Sequence, residues 1–302
     1  MAAMSKIIVH EVGPRDGLQS EKRTVPTEQK LAWIRGLLES KVDIVQVGSF
    51  VHREKVPQMA DTDELCRLLQ ADKKPAAVLS ALVLNDKGLE RGLACGVDML
   101  CMGASASETH SQKNVGASSL DSQKRIIAMA ERALSAGKQV QVSVQCAFGC
   151  GFEGCVPQER VLTMVRAYVE AGLRSISLAD TAGHAHPEQV KRLFGELFKM
   201  ADDIQCTCHF HDTYGLGMAN IYAAMQVGVT SFETGFAGIG GCPFTKVMAG
   251  NVATEDLVHG LQRNGQRQDI DLGKLIGVAR SVAGFFDRDM QGRVYKTEPI
   301  PY

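Results

Sequence analysis

The sequence predicts an α/β fold, a (β/α)8 TIM barrel with an additional C-terminal helix, and three observations predict it. Short, strand-like apolar runs alternate with amphipathic helical stretches along the chain. Eight such β-then-α units can be read, the number that closes a parallel barrel. The first run is not followed by a dinucleotide-binding glycine fingerprint, which disfavours the alternative of an open doubly wound sheet with a smaller second domain.

The first unit pairs Ile7-Ile8-Val9 with a helix from Thr27 to Ser40, for which Thr27 suits the N-cap. Asp43 to Val47 precedes a helix over Asp61 to Gln70, and Ala77 to Val83 precedes one over Asp86 to Ala94. The fourth strand, Asp98 to Met102, leads through a polar loop to a long helix from Ser119 to Ala136. Gln139 to Gln145 is followed by Gln158 to Glu170, and Ser175 to Ala179 by Pro187 to Met200. Gln205 to Phe210 precedes a helix through Met218 to Met225; Ser231 to Thr234 is the eighth strand, covered by Val247 to Leu261. Gly96, Gly137, Gly172 and Gly228 stand just past helix ends, as the left-handed closing position requires. Asp271 to Arg288 reads as the additional helix, and Val294 to Tyr302 as a polar, Pro-containing tail. No linker or low-complexity stretch divides the chain, so a single domain over 1–302 is expected, with the barrel at about 5–265 and a helical extension at about 266–302.

Composition narrows the function classes. A net charge of −1 offers no global field for nucleic acid or an anionic membrane surface, and neither partner is expected. The nine cysteines are odd in number and lack a regular disulfide spacing, which fits a reducing compartment. Met1 to Lys6 carries no apolar signal region, and no apolar run approaches the ~20 residues that span a bilayer. A cytoplasmic protein is expected.

In a barrel the chemistry gathers where the strands end. At the end of the seventh strand stands His209-Phe210-His211-Asp212. Strand side chains repeat every second residue, so His209 and His211 point to one face and can share a divalent metal. The competing reading is two histidines that only bond to neighbours. After the first strand, Glu11 to Gln19 contains Arg15-Asp16 in a glycine-flanked loop. Asp16 can supply the carboxylate the histidines lack, and Arg15 can stabilise an enolate or oxyanion; a local ion pair is the plainer alternative. Two imidazoles and a carboxylate leave positions for substrate oxygens, which favours Mg²⁺ or Mn²⁺, with Zn²⁺ open on ligand type alone. After the eighth strand, Ala237 to Phe244 reads as a mobile lid carrying Cys242, a thiol suited to general acid or base work. A phosphate cradle is disfavoured there, since no Gly-Lys-Ser/Thr follows. Asn251 stands near the next helix and can offer an amide oxygen to the metal. Cys206 and Cys208 belong to the barrel wall, and Cys146, Cys150 and Cys155 lack a fourth ligand at zinc spacing.

Taken together, these motifs resemble the hydroxymethylglutaryl-CoA lyase family of the metal-dependent DRE-TIM group, over most of the chain from Val9 to about Leu261. The anchors are Glu11 to Gln19, Ser49-Phe50-Val51 with Val56 to Met59, Ser105 to Glu108, Ser177 to Thr181, His209 to Gly215, and Gly240 to Pro243 with Gly250 to Asp256. The resemblance implies a pyruvate-carboxyltransferase-like barrel in which Asp16, His209, His211 and Asn251 hold Mg²⁺ or Mn²⁺. It implies Arg15, Asp16 and Cys242 as catalytic residues, and Gln19, Gln46, Ser49, Ser177 and Thr181 at the substrate. An acyl-CoA is the implied partner, with Lys22, Ser49 and Phe50 near the pocket mouth, and a homodimer is one assembly open to such a barrel. The implied reaction is retro-Claisen cleavage of 3-hydroxy-3-methylglutaryl-CoA to acetyl-CoA and acetoacetate.

One position departs from the family pattern. Where relatives carry Glu in the second strand, this chain has Val45-Gln46-Val47-Gly48-Ser49-Phe50. Gln46 keeps the shape and hydrogen bonding but removes about one unit of negative charge beside a dication. Besides the same lyase reaction, this leaves a lyase for a related 3-hydroxyacyl-CoA, a Claisen-type synthase or aldolase, and an attenuated CoA-ester-binding paralogue.

Overall fold

The computed structural model describes residues 6–72, 75–241 and 250–297. Eight strands close into a barrel in sequence order, each parallel to its neighbours: β1 (Ile8–Glu11), β2 (Ile44–Ser49), β3 (Val78–Leu82), β4 (Met99–Ser105), β5 (Gln139–Gln145), β6 (Ser175–Asp180), β7 (Gln205–Phe210) and β8 (Ser231–Thr234). The seam between first and last strands pairs Val9 with Phe232 and Glu11 with Thr234. Around it lie α1 (Thr27–Glu39), α2 (Thr62–Ala71), α3 (Asp86–Ala94), α4 (Glu108–Val115), α5 (Ser119–Ser135), α6 (Gln158–Glu170), α7 (Pro187–Leu197), α8 (Gly217–Gln226), α9 (Thr254–Arg263) and α10 (Leu272–Phe286). This is the (β/α)8 TIM barrel with its additional helix. Among the described residues, no helix is long and apolar enough to cross a membrane.

The period-two pattern of the strands separates two surfaces. Outward side chains such as Val9, Val45, Val47, Val142, Val144, Ile176, Leu178, Cys206, Cys208 and Phe232 are buried in the main core, between strands and helices. Inward, Ile44, Met99 and Cys101 form a small apolar plug with Ile8, Val78 and Leu82 packed on it. The interior also carries the buried polar side chains His10, Gln46, Ser80, Gln141, Ser177, Thr207, His209 and Glu233. Below the mouth, then, the barrel is filled by an apolar plug and a polar floor.

The additional helix braces the catalytic end. The Trp33 indole of α1 donates to Ser281 Oγ of α10 at 2.9 Å, and its ring lies against Phe236, Phe285 and Phe286. Beyond α10, the Gly292 amide donates to Ala237 O at 2.8 Å and the Gly250 amide to Gln291 Oε1 at 3.0 Å. These bonds tie the chain's last described segment to both flanks of the loop after β8.

Most element bounds lie within a few residues of expectation, with three corrections. Helix α4 replaces part of the expected polar loop; its Glu-Thr-His-Ser-Gln-Lys-Asn-Val sequence has no apolar stripe, and Ser107 caps it by accepting from the His110 amide. Thr27 is already helical rather than the N-cap, and its hydroxyl donates to Asp61 at 3.0 Å. The helix after β8 begins at Thr254, because residues 250–253 are extended and Asn251 bridges to His211. Positive φ at Gly96, Gly137, Gly172 and Gly228 agrees with their expected closing role.

Candidate active site

The loop after β1 folds into one wide helical turn over Gly13–Gly17, in which the amides of Arg15 and Asp16 donate to Val12 O at 3.0 and 2.7 Å. A β-carbon at Gly17 would lie 2.3 Å from Ile239, so glycine is required where this turn meets the loop after β8. The turn delivers Arg15 and Asp16 to a cavity of about 570 Å³ at the barrel mouth. Gln19, Gln46, Gln141, Ser177, Thr181, His209, His211 and Glu233 also line it.

Asp16, His209 and His211 bring one ligand atom each within 4.8 Å of one another, and all three are buried. They form the one group of at least three such metal-ligating side chains among the described residues. Asp16 Oδ2 lies 3.8 Å from His209 Nε2 and 3.6 Å from His211 Nε2, while the two Nε2 atoms are 3.2 Å apart. His211 Nδ1 is 3.1 Å from the Thr181 carbonyl, which can only accept, so that nitrogen carries the proton. His209 Nδ1 is 2.8 Å from Glu233 Oε2, a carboxylate that fixes the same tautomer. The two Nε2 atoms then face each other at 3.2 Å, a geometry that a shared proton satisfies in the free site and that a cation between or beside them satisfies in the loaded one. Asn251 adds a sign of a missing partner. Its Nδ2 donates to Asp16 Oδ2 and Ile239 O, both at 3.0 Å, while its buried Oδ1 has no partner. The donor set fits a divalent ion bound by oxygen and imidazole nitrogen.

Charge around this cluster is arranged accordingly. Burial opposes ionisation of Asp16, but the Arg15 charge and the two histidines outweigh it and hold the carboxyl well below its usual range. Burial likewise opposes a charged His209, yet Glu233 and Asp16 raise its pKa overall. Glu233 is brought down to about 2 despite burial, chiefly by its bond to His209. Arg15 donates from Nη1 to Asp16 Oδ1 at 2.6 Å and from Nε to Gln46 Oε1. Gln46 therefore stands where the resemblance puts a Glu and accepts from the buried arginine without adding charge.

Gln19 donates to Asp16 Oδ1 at 3.2 Å, Ser177 Oγ is buried without a partner, and Thr181 Oγ accepts from the Cys146 amide at 2.9 Å. Three expected contacts do not reach the cavity. Ser49 is buried and its amide donates to Thr62, Phe50 packs in the core with its backbone oxygen close to Gly88 of α3, and Lys22 is solvent-exposed. None of the three is among the lining residues. Cys242 lies outside the described residues. Sequence reasoning missed Glu233 and His10; period-two alternation around outward Phe232 and Val9 was the signal that turns both inward.

The HMGL-like family profile matches residues 6–282. The chain belongs to the HMGL-like family. Within it, the chain is 36% identical over 275 residues to the hydroxymethylglutaryl-CoA lyase YngG of Bacillus subtilis, covering 91% of each protein. It is 33% identical to the 3-hydroxy-3-isohexenylglutaryl-CoA/hydroxymethylglutaryl-CoA lyase of Pseudomonas aeruginosa, covering 96% of each. Its fold superposes with a TM-score of 0.90 on an HMG-CoA lyase from Acinetobacter baumannii in complex with coenzyme A and 3-methylmalate, at 34% identity and covering 100% of both chains. As a member of this family the chain is an enzyme, a lyase.

Proposed function

We propose that this protein cleaves 3-hydroxy-3-methylglutaryl-CoA into acetyl-CoA and acetoacetate. The observation that carries the reading is the convergence of Asp16, His209 and His211 at the cavity, with both imidazoles anchored through Nδ1 and the unpartnered Asn251 Oδ1 next to them. Asp16, His209, His211 and Asn251 would hold Mg²⁺ or Mn²⁺, which when bound supplies positive charge to acidify the substrate's 3-hydroxyl and orient its oxygens.

The chain's own residues do the rest. Thr181 O and Glu233 keep both imidazoles in the tautomer that presents Nε2. When the 3-hydroxyl gives its proton to solvent water at the cavity mouth, the C2–C3 electron pair passes to the thioester half as C3 becomes the ketone of acetoacetate, and that proton is available to recharge the Cys242 thiol. Arg15, fixed by Asp16 and Gln46, offsets the negative charge on the acetyl-CoA enolate. Cys242 on the loop after β8 returns a proton to C2, completing acetyl-CoA. Gln19 holds Asp16, and Ser177 faces the substrate with a free hydroxyl. The described cysteines are all free thiols, which supports a reducing, cytoplasmic setting, and the barrel with α10 acts as one catalytic domain.

The test is acetyl-CoA release from hydroxymethylglutaryl-CoA with Mg²⁺ or Mn²⁺. Multiple turnover that disappears on chelation, and in Asp16→Ala and His209→Ala, is expected. Metal-dependent binding of the ester without cleavage would refute the lyase reading.

A further inference from the structure

Glu233 lies one strand away from His209, and the β7–β8 register pairs the two residues directly. Its Oε2 is 2.8 Å from His209 Nδ1. Its Oε1 accepts from the Gln141 amide of β5, and the His10 ring of β1 lies 3.5 Å from the same oxygen. The carboxylate is thus bonded from two strands, β7 and β5, with the neutral His10 ring of β1 packed beside it. With Gln46 neutral, Asp16 and Glu233 are the two carboxylates among the residues lining the cavity.

We infer that Glu233 is a positioning residue: it sets the His209 tautomer and ring angle, and supplies from β8 the floor charge that Gln46 does not supply from β2. It touches no reacting atom. Its effect passes through His209, whose Nε2 it leaves free to bind, and adds one negative charge behind that ligand, which strengthens an imidazole donor. Asp16, by contrast, faces the shared site directly. This inference rests on the metal reading above, and its test separates the two.

Mn²⁺ affinity is measured by electron paramagnetic resonance on wild type, Glu233→Gln and Glu233→Leu. The ring-nitrogen spectrum of ¹⁵N-histidine-labelled, metal-free protein reports the tautomer of His209, assigned with His209→Ala. Glu233→Leu is expected to weaken Mn²⁺ about 10- to 100-fold and to release His209 from its Nδ1–H form. Glu233→Gln keeps an acceptor, so it should hold the tautomer and lose affinity by less. Mn²⁺ binding within twofold of wild type in Glu233→Leu, with an unchanged His209 spectrum, overturns the inference. If Glu233→Leu does not fold, Glu233→Gln is read alone: a loss of threefold or more supports the charge contribution, and none overturns it. A wild type that binds no Mn²⁺ refutes the metal reading instead, and the metal-free tautomer then decides the role of Glu233.

Discussion

The two faces of the barrel strands have opposite relations to solvent, charge and function. Outward residues such as Val45, Val142, Leu178 and Phe232 are buried in the hydrophobic core, and burial accounts for them. One position away on the same strands, Gln46, Gln141, Ser177 and Glu233 are equally buried but polar, and line the cavity. Stability is thus concentrated on one face and chemistry on the other. Each inward polar group costs free energy unless partnered, and the partners found here are mostly other members of the site. Among the exceptions, Ser177 Oγ and Asn251 Oδ1 are the atoms expected to meet substrate and metal, while His10 Nδ1 lies deeper, beside Glu233.

Substitutions on each face should separate accordingly. The largest effect on activity is expected inside: Asp16→Ala should remove turnover, and Arg15→Ala should lower kcat by about 100- to 1000-fold, while the protein, though destabilised by the broken buried pair, stays folded at the assay temperature. A fall in midpoint large enough to explain the lost activity would break the division. Outside, Phe232→Ala should cost about 3–5 kcal/mol in denaturant unfolding, with KM and metal affinity of the folded fraction unchanged. Gln46→Glu should change kcat by less than about tenfold, because Gln46 already accepts from Arg15 and only charge is added. A much larger rise would mark the native site as attenuated.

The smallest effect concerns the loop after β8. Burial pushes the Glu255 carboxyl from 4.5 to about 8, with Asp256 adding to the shift, while its Oε2 accepts from the Ala237 amide. A raised folded-state value means the fold holds this proton more tightly than the unfolded chain does. The stability it contributes is fully present below pH 4.5 and is lost as pH rises through about 8. Thermal midpoints measured across this range should therefore fall more steeply in wild type than in Glu255→Gln. Parallel curves would show that Glu255 is ionised in the fold.

How much was legible follows the same division. The eight strands were readable because their outward faces are uniformly apolar and their helices close on glycine. The Asp16, His209 and His211 cluster was readable because His-x-His and Arg-Asp stand at strand ends, where side chains converge. Helix α4 escaped because its polar sequence lacks the stripe that betrays most helices; only His110 and Ser111 are buried along it. Thr181 entered the reading as a side chain, yet its carbonyl is what fixes His211, and a backbone acceptor leaves no mark in the sequence. Ser49 and Phe50 were placed at the pocket by motif alone, without allowance for the register shift between Gln46 and Gly48.

The most direct test is acetyl-CoA release by the purified protein from hydroxymethylglutaryl-CoA, followed as Mn²⁺ is removed and restored. The account predicts multiple turnover that vanishes with chelation, returns with the ion, and is absent in a folded His209→Ala protein. Turnover that persists undiminished in fully chelated protein, or in His209→Ala, would contradict it.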